Sequence, residues 1–283
     1  MLKRKLVKAG FFGHGALFIM VSPFSVSPKA QTPSYELSTN TIANETLQKK
    51  DTGVLSPSDT TVFTAKAEAA SPAIHLNAAA TKYVKQFLKK NDEDLQAAEK
   101  RSTTYFKIIE PILEKYGLPV ELKYLAVVES GLKPSALSHV GAKGPWQLMP
   151  ATARDLGLKV SKKYDERTHY YKSTVAAAKH LKDLYNEFGD WLLVVAAYNS
   201  GAGPVYNAIK KSGSRNFWKL QYFLPAETRG HVKRFIGTHC YFQDENSLTM
   251  LTKSETTTYL KAVGDFKVKQ SLEVDEQTII AVR

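Results

Sequence analysis

Apolar residues recur at helical spacing through most of residues 75–243. Tyr83, Val84, Phe87 and Leu88 make a first stripe. Tyr105, Ile108, Ile109, Ile112, Leu113 and Tyr116 make a longer one that ends at Gly117. Pro111 inside the second stripe predicts a kink or a break between two shorter helices. Proline before and glycine after then mark out further segments: 119–130, closed by Gly131, and a helix opened by Pro150 and closed by Gly157. Ser173 is expected to cap a longer helix that carries Val175, Ala178, Leu181, Tyr185 and Phe188 up to Gly189. Residues 191–199 are almost wholly apolar, which predicts a buried central helix, and 227–242 form the last one. The pattern predicts an all-α domain over 75–243.

The flanks read differently. Lys3, Arg4, Lys5 and Lys8 precede an uncharged, largely apolar stretch over 9–21, and small and proline-containing residues follow to Ala30. These are the three parts of a secretory signal, expected over 1–30, with an uncleaved membrane anchor as the other reading. Residues 31–74 are rich in Ser, Thr, Ala and Pro and read as a flexible, disordered linker. In the 244–283 extension, Phe266, Lys267, Val268 and Lys269 alternate and 278–282 is β-prone, so the tail reads as a candidate small β module.

Composition narrows the function. With 43% apolar and 23% charged residues the chain is globular rather than disordered, collagenous or disulfide-stapled. One cysteine cannot form an internal disulfide, and no Cys/His cluster offers a metal cage, so no metal or cofactor is expected. The formal charge of +12 favours anionic partners. Between residues 103 and 242 alone there are 20 basic and 11 acidic residues. An export signal and the lack of a basic-aromatic array argue against nucleic acid and point to polymers of the cell envelope.

One residue breaks the apolar pattern. Leu122, Leu125 and Ala126 define the inward face of the 119–130 helix, and the next position on that stripe is Glu129. Burial and the negative end of the helix dipole both disfavour its ionised form. A general acid working near neutral pH needs that bias. A glutamate paired with a buried arginine would occupy such a place equally well.

The surrounding motifs favour catalysis. Glu129-Ser130, then Gly144-Pro145-Trp146-Gln147-Leu148-Met149-Pro150, then Ala197-Tyr198-Asn199-Ser200-Gly201 resemble, in order, the three motifs of family 1 lytic transglycosylases. Within that family the chain is most similar to the membrane-bound murein transglycosylase D type. The resemblance covers roughly 80–243 and implies a lysozyme-like helical fold, similar to goose-type lysozyme. It also implies that Glu129 is the single catalytic acid/base and that Ser130 orients the carboxylate or a substrate group. Gln147 and Met149 would line the sugar groove, and Tyr198 and Asn199 would hold substrate near the acid. Trp146 and Met149 read equally well as packing residues, and Asn199 as a helix cap. Many relatives carry tyrosine where His231 stands. His231 could still donate a hydrogen bond, although a protonated ring would favour the carboxylate form of Glu129.

The expected partner is the glycan strand of peptidoglycan, met by a monomer in the periplasm or cell envelope. The expected reaction cleaves the bond between N-acetylmuramic acid and N-acetylglucosamine and leaves 1,6-anhydro ends. A lysozyme-like hydrolase would need a second carboxylate, for which Asp155, Asp165 and Glu166 are the candidates. A non-catalytic wall-binding protein that keeps the groove is the remaining alternative. Cys240, next to His239, is expected to be a spectator.

Overall fold

The computed structural model describes residues 71–281, with side chains as far as Leu272. The expected signal and nearly all of the expected linker lie outside the described residues. Within them the chain is all-α. The helices are α1 (Ala78–Lys115), α2 (Lys123–Ser130), α3 (Pro150–Asp155), α4 (Tyr170–Phe188), α5 (Trp191–Ser200), α6 (Ala202–Ser212), α7 (Phe217–Leu220), α8 (Ala226–Phe242) and α9 (Lys253–Ala281). Three isolated bridges, two of them around Lys143, are the only β pairing among the described residues.

Several boundaries differ from the sequence expectation, each for a physical reason. Pro111 does not break α1. Its side chain and that of Lys107 are exposed, so the carbonyl that the proline leaves unbonded lies on the solvent side. The kink falls instead at Asn91 (φ −118, ψ 18), whose amide donates to the Phe87 carbonyl at 2.7 Å and intrudes on the helical ladder. Helix α4 starts at Tyr170 rather than at Ser173: the His169 ring caps it, and Ser173 Oγ turns back onto the His169 carbonyl at 2.9 Å.

The β tail is overturned, since residues 253–281 form one helix. Its start is a reciprocal cap, with Thr252 N donating to Glu255 Oε2 at 2.8 Å and Glu255 N facing Thr252 Oγ1 at 3.4 Å. Four alternating residues cannot outweigh a capped helix when no strand lies alongside to pair with. Asp190 ties this start to the core. Its Oδ1 caps α5 through the Leu192 and Leu193 amides, and its Oδ2 accepts from Lys253 N at 2.6 Å.

The core is organised on α5. Leu192, Leu193, Val194, Val195, Ala196 and Ala197 are all essentially inaccessible, and α5 packs against α4, α6 and α8. Helix α1 lies across α4 and α8, and α2 is enclosed by α1 and α8. An eight-residue helix like α2 is marginal alone, so its position is set by this packing and by the groups that hold its C-terminus.

Candidate active site

Glu129 sits one residue before the end of α2, and the chain then turns through Gly131 (φ 58) and Leu132 (φ 59). A left-handed leucine is costly and needs external support. Arg101 Nε donates to the Gly131 carbonyl at 2.6 Å, and the Tyr170 hydroxyl donates to the Leu132 carbonyl. Tyr170 is itself stacked on Tyr105, with ring centroids 3.6 Å apart. The carbonyls of the turn that closes α2 therefore meet a guanidinium and a phenol, which anchors the end of the helix that carries Glu129.

Residues 133–149 form the loop that follows, and the motif side chains are spent on its carbonyls. Ser130 is buried, and its hydroxyl lies 2.8 Å from the Pro145 carbonyl and 3.1 Å from that of Ala126, free to donate to either. Tyr198 donates to the Trp146 carbonyl at 2.7 Å. Arg167 Nη1 reaches the carbonyls of Gly141 and Leu148 at 2.7 and 2.9 Å. Gln147, another non-glycine residue at positive φ (45°), donates through Nε2 to Gly144 and Ala136 at 2.9 and 3.1 Å. Three motifs far apart in sequence thus converge on one loop.

Among the described residues the carboxyl itself has one close side-chain partner. His231 Nε2 and Glu129 Oε1 lie 2.9 Å apart, with the two side chains 3% and 14% exposed. Tyr198 is close enough for the Glu129 charge to act on it: burial first, and that charge second, hold its hydroxyl well above its ordinary range. His180 lies 5.5 Å from the Tyr198 ring, and burial pushes the His180 imidazole below its usual value.

The remaining expected residues are placed as follows. Asn199 is half-buried in the last turn of α5, and Met149 is half-buried as the residue before Pro150 at the start of α3. Trp146 is fully buried, its indole donating to Thr174 Oγ1 at 2.9 Å, so it packs the core and offers no face to a ligand. Among the described residues no three His, Cys, Asp or Glu side chains gather as a metal cage. Burial pushes the Cys240 thiol up to about 11, which leaves it unreactive.

Two candidate second carboxylates are committed elsewhere. Asp165 makes a two-pronged contact with Arg167 at 2.9 and 2.8 Å and lies 3.3 Å from Lys143, and the bonds from Arg167 bring it down to about 2. Glu166 accepts from Lys159 N at 2.7 Å and from Lys172 Nζ at 2.5 Å, and these bonds hold it below the usual carboxylate range. Asp155 is exposed at the end of α3.

Residues 107–221 match the family model described as the Transglycosylase SLT domain. That stretch is similar to an SLT domain. The matched stretch includes Glu129, Ser130, Gln147, Tyr198 and Asn199 and ends before α8. The chain is 40% identical over 158 residues to membrane-bound lytic murein transglycosylase D of Escherichia coli strain K12, an alignment that covers 54% of this chain and 34% of that protein. It is 28% identical over 172 residues to membrane-bound lytic murein transglycosylase C of Haemophilus influenzae strain PittEE, covering 56% of this chain and 47% of that one. The chain therefore spans from about a third to about half of the length of these relatives. Among solved structures, the 70 kDa soluble lytic transglycosylase of Escherichia coli is similar with a TM-score of 0.45 and 25% identity, over 51% of this chain and 26% of that one.

The site depends on residues that sequence reasoning passed over. Arg101, Tyr170 and Arg167 hold the frame, yet none interrupts an apolar stripe or sits in a recognisable spacing. The Asp165-Glu166-Arg167 run gives a weak signal, since it is a tight cluster of opposite charges beside a glycine-rich loop.

Proposed function

We propose that this chain is a lytic transglycosylase of the cell envelope that cleaves peptidoglycan between N-acetylmuramic acid and N-acetylglucosamine. The observation that carries the reading is Glu129: a mostly enclosed carboxyl at the end of α2, held by His231, while Asp165 and Glu166 are tied up by cations. The match to the SLT family and the names of the relatives support the substrate class.

In the proposed reaction Glu129 gives its proton to the glycosidic oxygen as the bond from that oxygen to the muramoyl C1 breaks, the bonding pair leaving with the oxygen. The charge that builds on the sugar is oxocarbenium-like. The new Glu129 carboxylate then takes the proton of the muramoyl C6 hydroxyl as that oxygen bonds to C1. A 1,6-anhydro ring closes, the carboxyl is regenerated and no water is consumed. A hydrolase of the usual kind needs a second carboxylate to activate water or to form a covalent adduct, whereas Asp165 and Glu166 are engaged by cations and backbone donors that lower their basicity.

Gln147 spends its amide nitrogen on the loop, which leaves its carbonyl oxygen to accept from an N-acetyl group. Asn199 and Met149, both half-buried, would flank the sugar beside it. Ser130 and Tyr198 act by holding the loop carbonyls in place. The excess of basic residues over 103–242 suits an acidic wall polymer, and the basic and apolar start of the sequence suits export to the envelope.

The test is turnover of purified sacculi by wild-type protein and by Glu129→Gln. The isosteric amide should leave sacculus binding and thermal stability in place, and turnover should fall by at least about 10⁴-fold, because one group serves as both acid and base. A folded Glu129→Gln that still releases soluble fragments would overturn the assignment. A wild type that binds sacculi without releasing fragments would make the chain a wall-binding protein.

A further inference from the structure

We propose that His231 is a positioning residue, its ring locked as the Nε2–H tautomer so that it holds Glu129 through Oε1 and leaves the reacting proton to Oε2. The proposal rests on the catalytic reading of Glu129, but its first test does not. His231 lies in the second turn of α8, 2% exposed, with Nε2 2.9 Å from Glu129 Oε1. The other ring nitrogen, Nδ1, is sealed from solvent and meets no hydrogen-bond partner among the described residues.

That asymmetry decides where the ring proton resides. With the proton on Nε2, the ring donates to Oε1 and Nδ1 is a bare lone pair, the less costly of the two ways to bury it. With the proton on Nδ1, an N–H is buried without an acceptor, and the bond to Glu129 survives only if Oε1 is itself protonated. A buried donor left unpaired shifts such a balance roughly ten- to a hundredfold. Imidazolium would bury the same orphan N–H.

The consequence reaches the chemistry. A proton on Oε1 would point at Nε2–H, so the carboxyl proton belongs on Oε2. The bond from His231 to Oε1 is then compatible with both the acid and the carboxylate form of Glu129. It persists while Oε2 gives its proton to the leaving oxygen and recovers one from the C6 hydroxyl. His231 transfers no proton. It fixes the rotamer that aims Oε2, and it occupies the oxygen that would otherwise offer a second, misdirected acid.

The experiment is a long-range ¹⁵N–¹H correlation spectrum of the full chain labelled at its seven histidines, with the His231 signals assigned by their loss in His231→Gln. The expected pattern is a bare Nδ1 and a protonated Nε2, retained in Glu129→Gln, whose carbonyl accepts the same bond. A protonated Nδ1, or a mixture of tautomers in the wild type, would overturn the proposal whether or not the protein cuts sacculi. A kinetic arm separates positioning from packing. His231→Phe should lose on the order of 10²-fold in kcat with KM little changed. His231→Gln, which can present an N–H near the place of Nε2, should recover to within about tenfold of wild type. Equal turnover by folded His231→Phe and wild type would also contradict it. Failure of the wild type to cleave sacculi would instead remove the catalytic reading and leave the tautomer result standing.

Discussion

The Tyr198 hydroxyl donates to the Trp146 carbonyl at 2.7 Å, fastening the last turn of α5 to the loop that faces the end of α2. Trp146 is fully buried, so nothing replaces that donor once it is gone. Tyr198→Phe should therefore cost about 1–3 kcal/mol, the penalty for a buried carbonyl left unpaired. Urea unfolding of the two proteins measures it, and an unchanged midpoint would show that the loop is held without this bond.

Gly144 is the tightest point of the same loop. Its φ is +88°, and an added Cβ would lie 1.9 Å from the Arg167 carbonyl oxygen. Backbone meets backbone there, so no rotamer relieves the clash. Gly144→Ala should destabilise the fold by at least about 3 kcal/mol, combining left-handed strain with steric overlap. Gly203→Ala is the control: the same addition meets nothing within 4 Å, within a helix. Thermal melts of both proteins should separate widely.

What the sequence disclosed follows from which signals are local. Glu129 was visible because it breaks an apolar stripe inside one helix, and Gly131 and Gly189 were visible because left-handed caps favour glycine. Pro111 misled because a proline's cost depends on which face of the helix it occupies, and only packing fixes that face. The alternation at 266–269 misled because a strand needs a neighbour, whereas Thr252-Lys253-Ser254-Glu255 was a legible capping signature that went unread. Helix α6 also went unread, since Ala202-Gly203-Pro204 directly after Gly201 looks like a loop. The use of Ser130, Gln147 and Tyr198 on loop carbonyls is a long-range fact that no spacing along the chain contains.

Acid should weaken the protein through His239. Its ring is fully buried against Tyr124, neither nitrogen has a partner among the described residues, and burial first of all brings it to about 4 from 6.5. The unfolded chain therefore binds a proton that the folded chain refuses. The stability that His239 contributes is complete above about pH 6.5 and is lost as the pH falls to 4, a change of about 3 kcal/mol. Unfolding free energies measured between pH 7 and 4 should fall more steeply for wild type than for His239→Leu. Parallel curves would contradict the assignment.

Glu166 is an ion-pair residue in this account and takes no part in the chemistry. Its carboxylate accepts from Lys159 N and from Lys172, and these bonds lower its pKa and make it a weaker base toward water. Glu166→Gln should keep kcat on sacculi within about threefold of wild type, well short of the loss expected on removing a general base. A loss of 10²-fold or more in folded protein, with hydrolytic products from the wild type, would make Glu166 the second carboxylate.

The most direct measurement is a mass spectrum of the fragments that wild-type protein releases from purified sacculi. If Glu129 works alone, passing its proton to the leaving sugar and recovering one from the C6 hydroxyl, every new muramoyl end is a 1,6-anhydro ring. Each fragment is then lighter by one water than the product of hydrolysis at the same bond and resists borohydride reduction. Reducing muramoyl ends at the full mass, formed by wild type and lost in Glu129→Gln, would contradict the single-carboxyl mechanism.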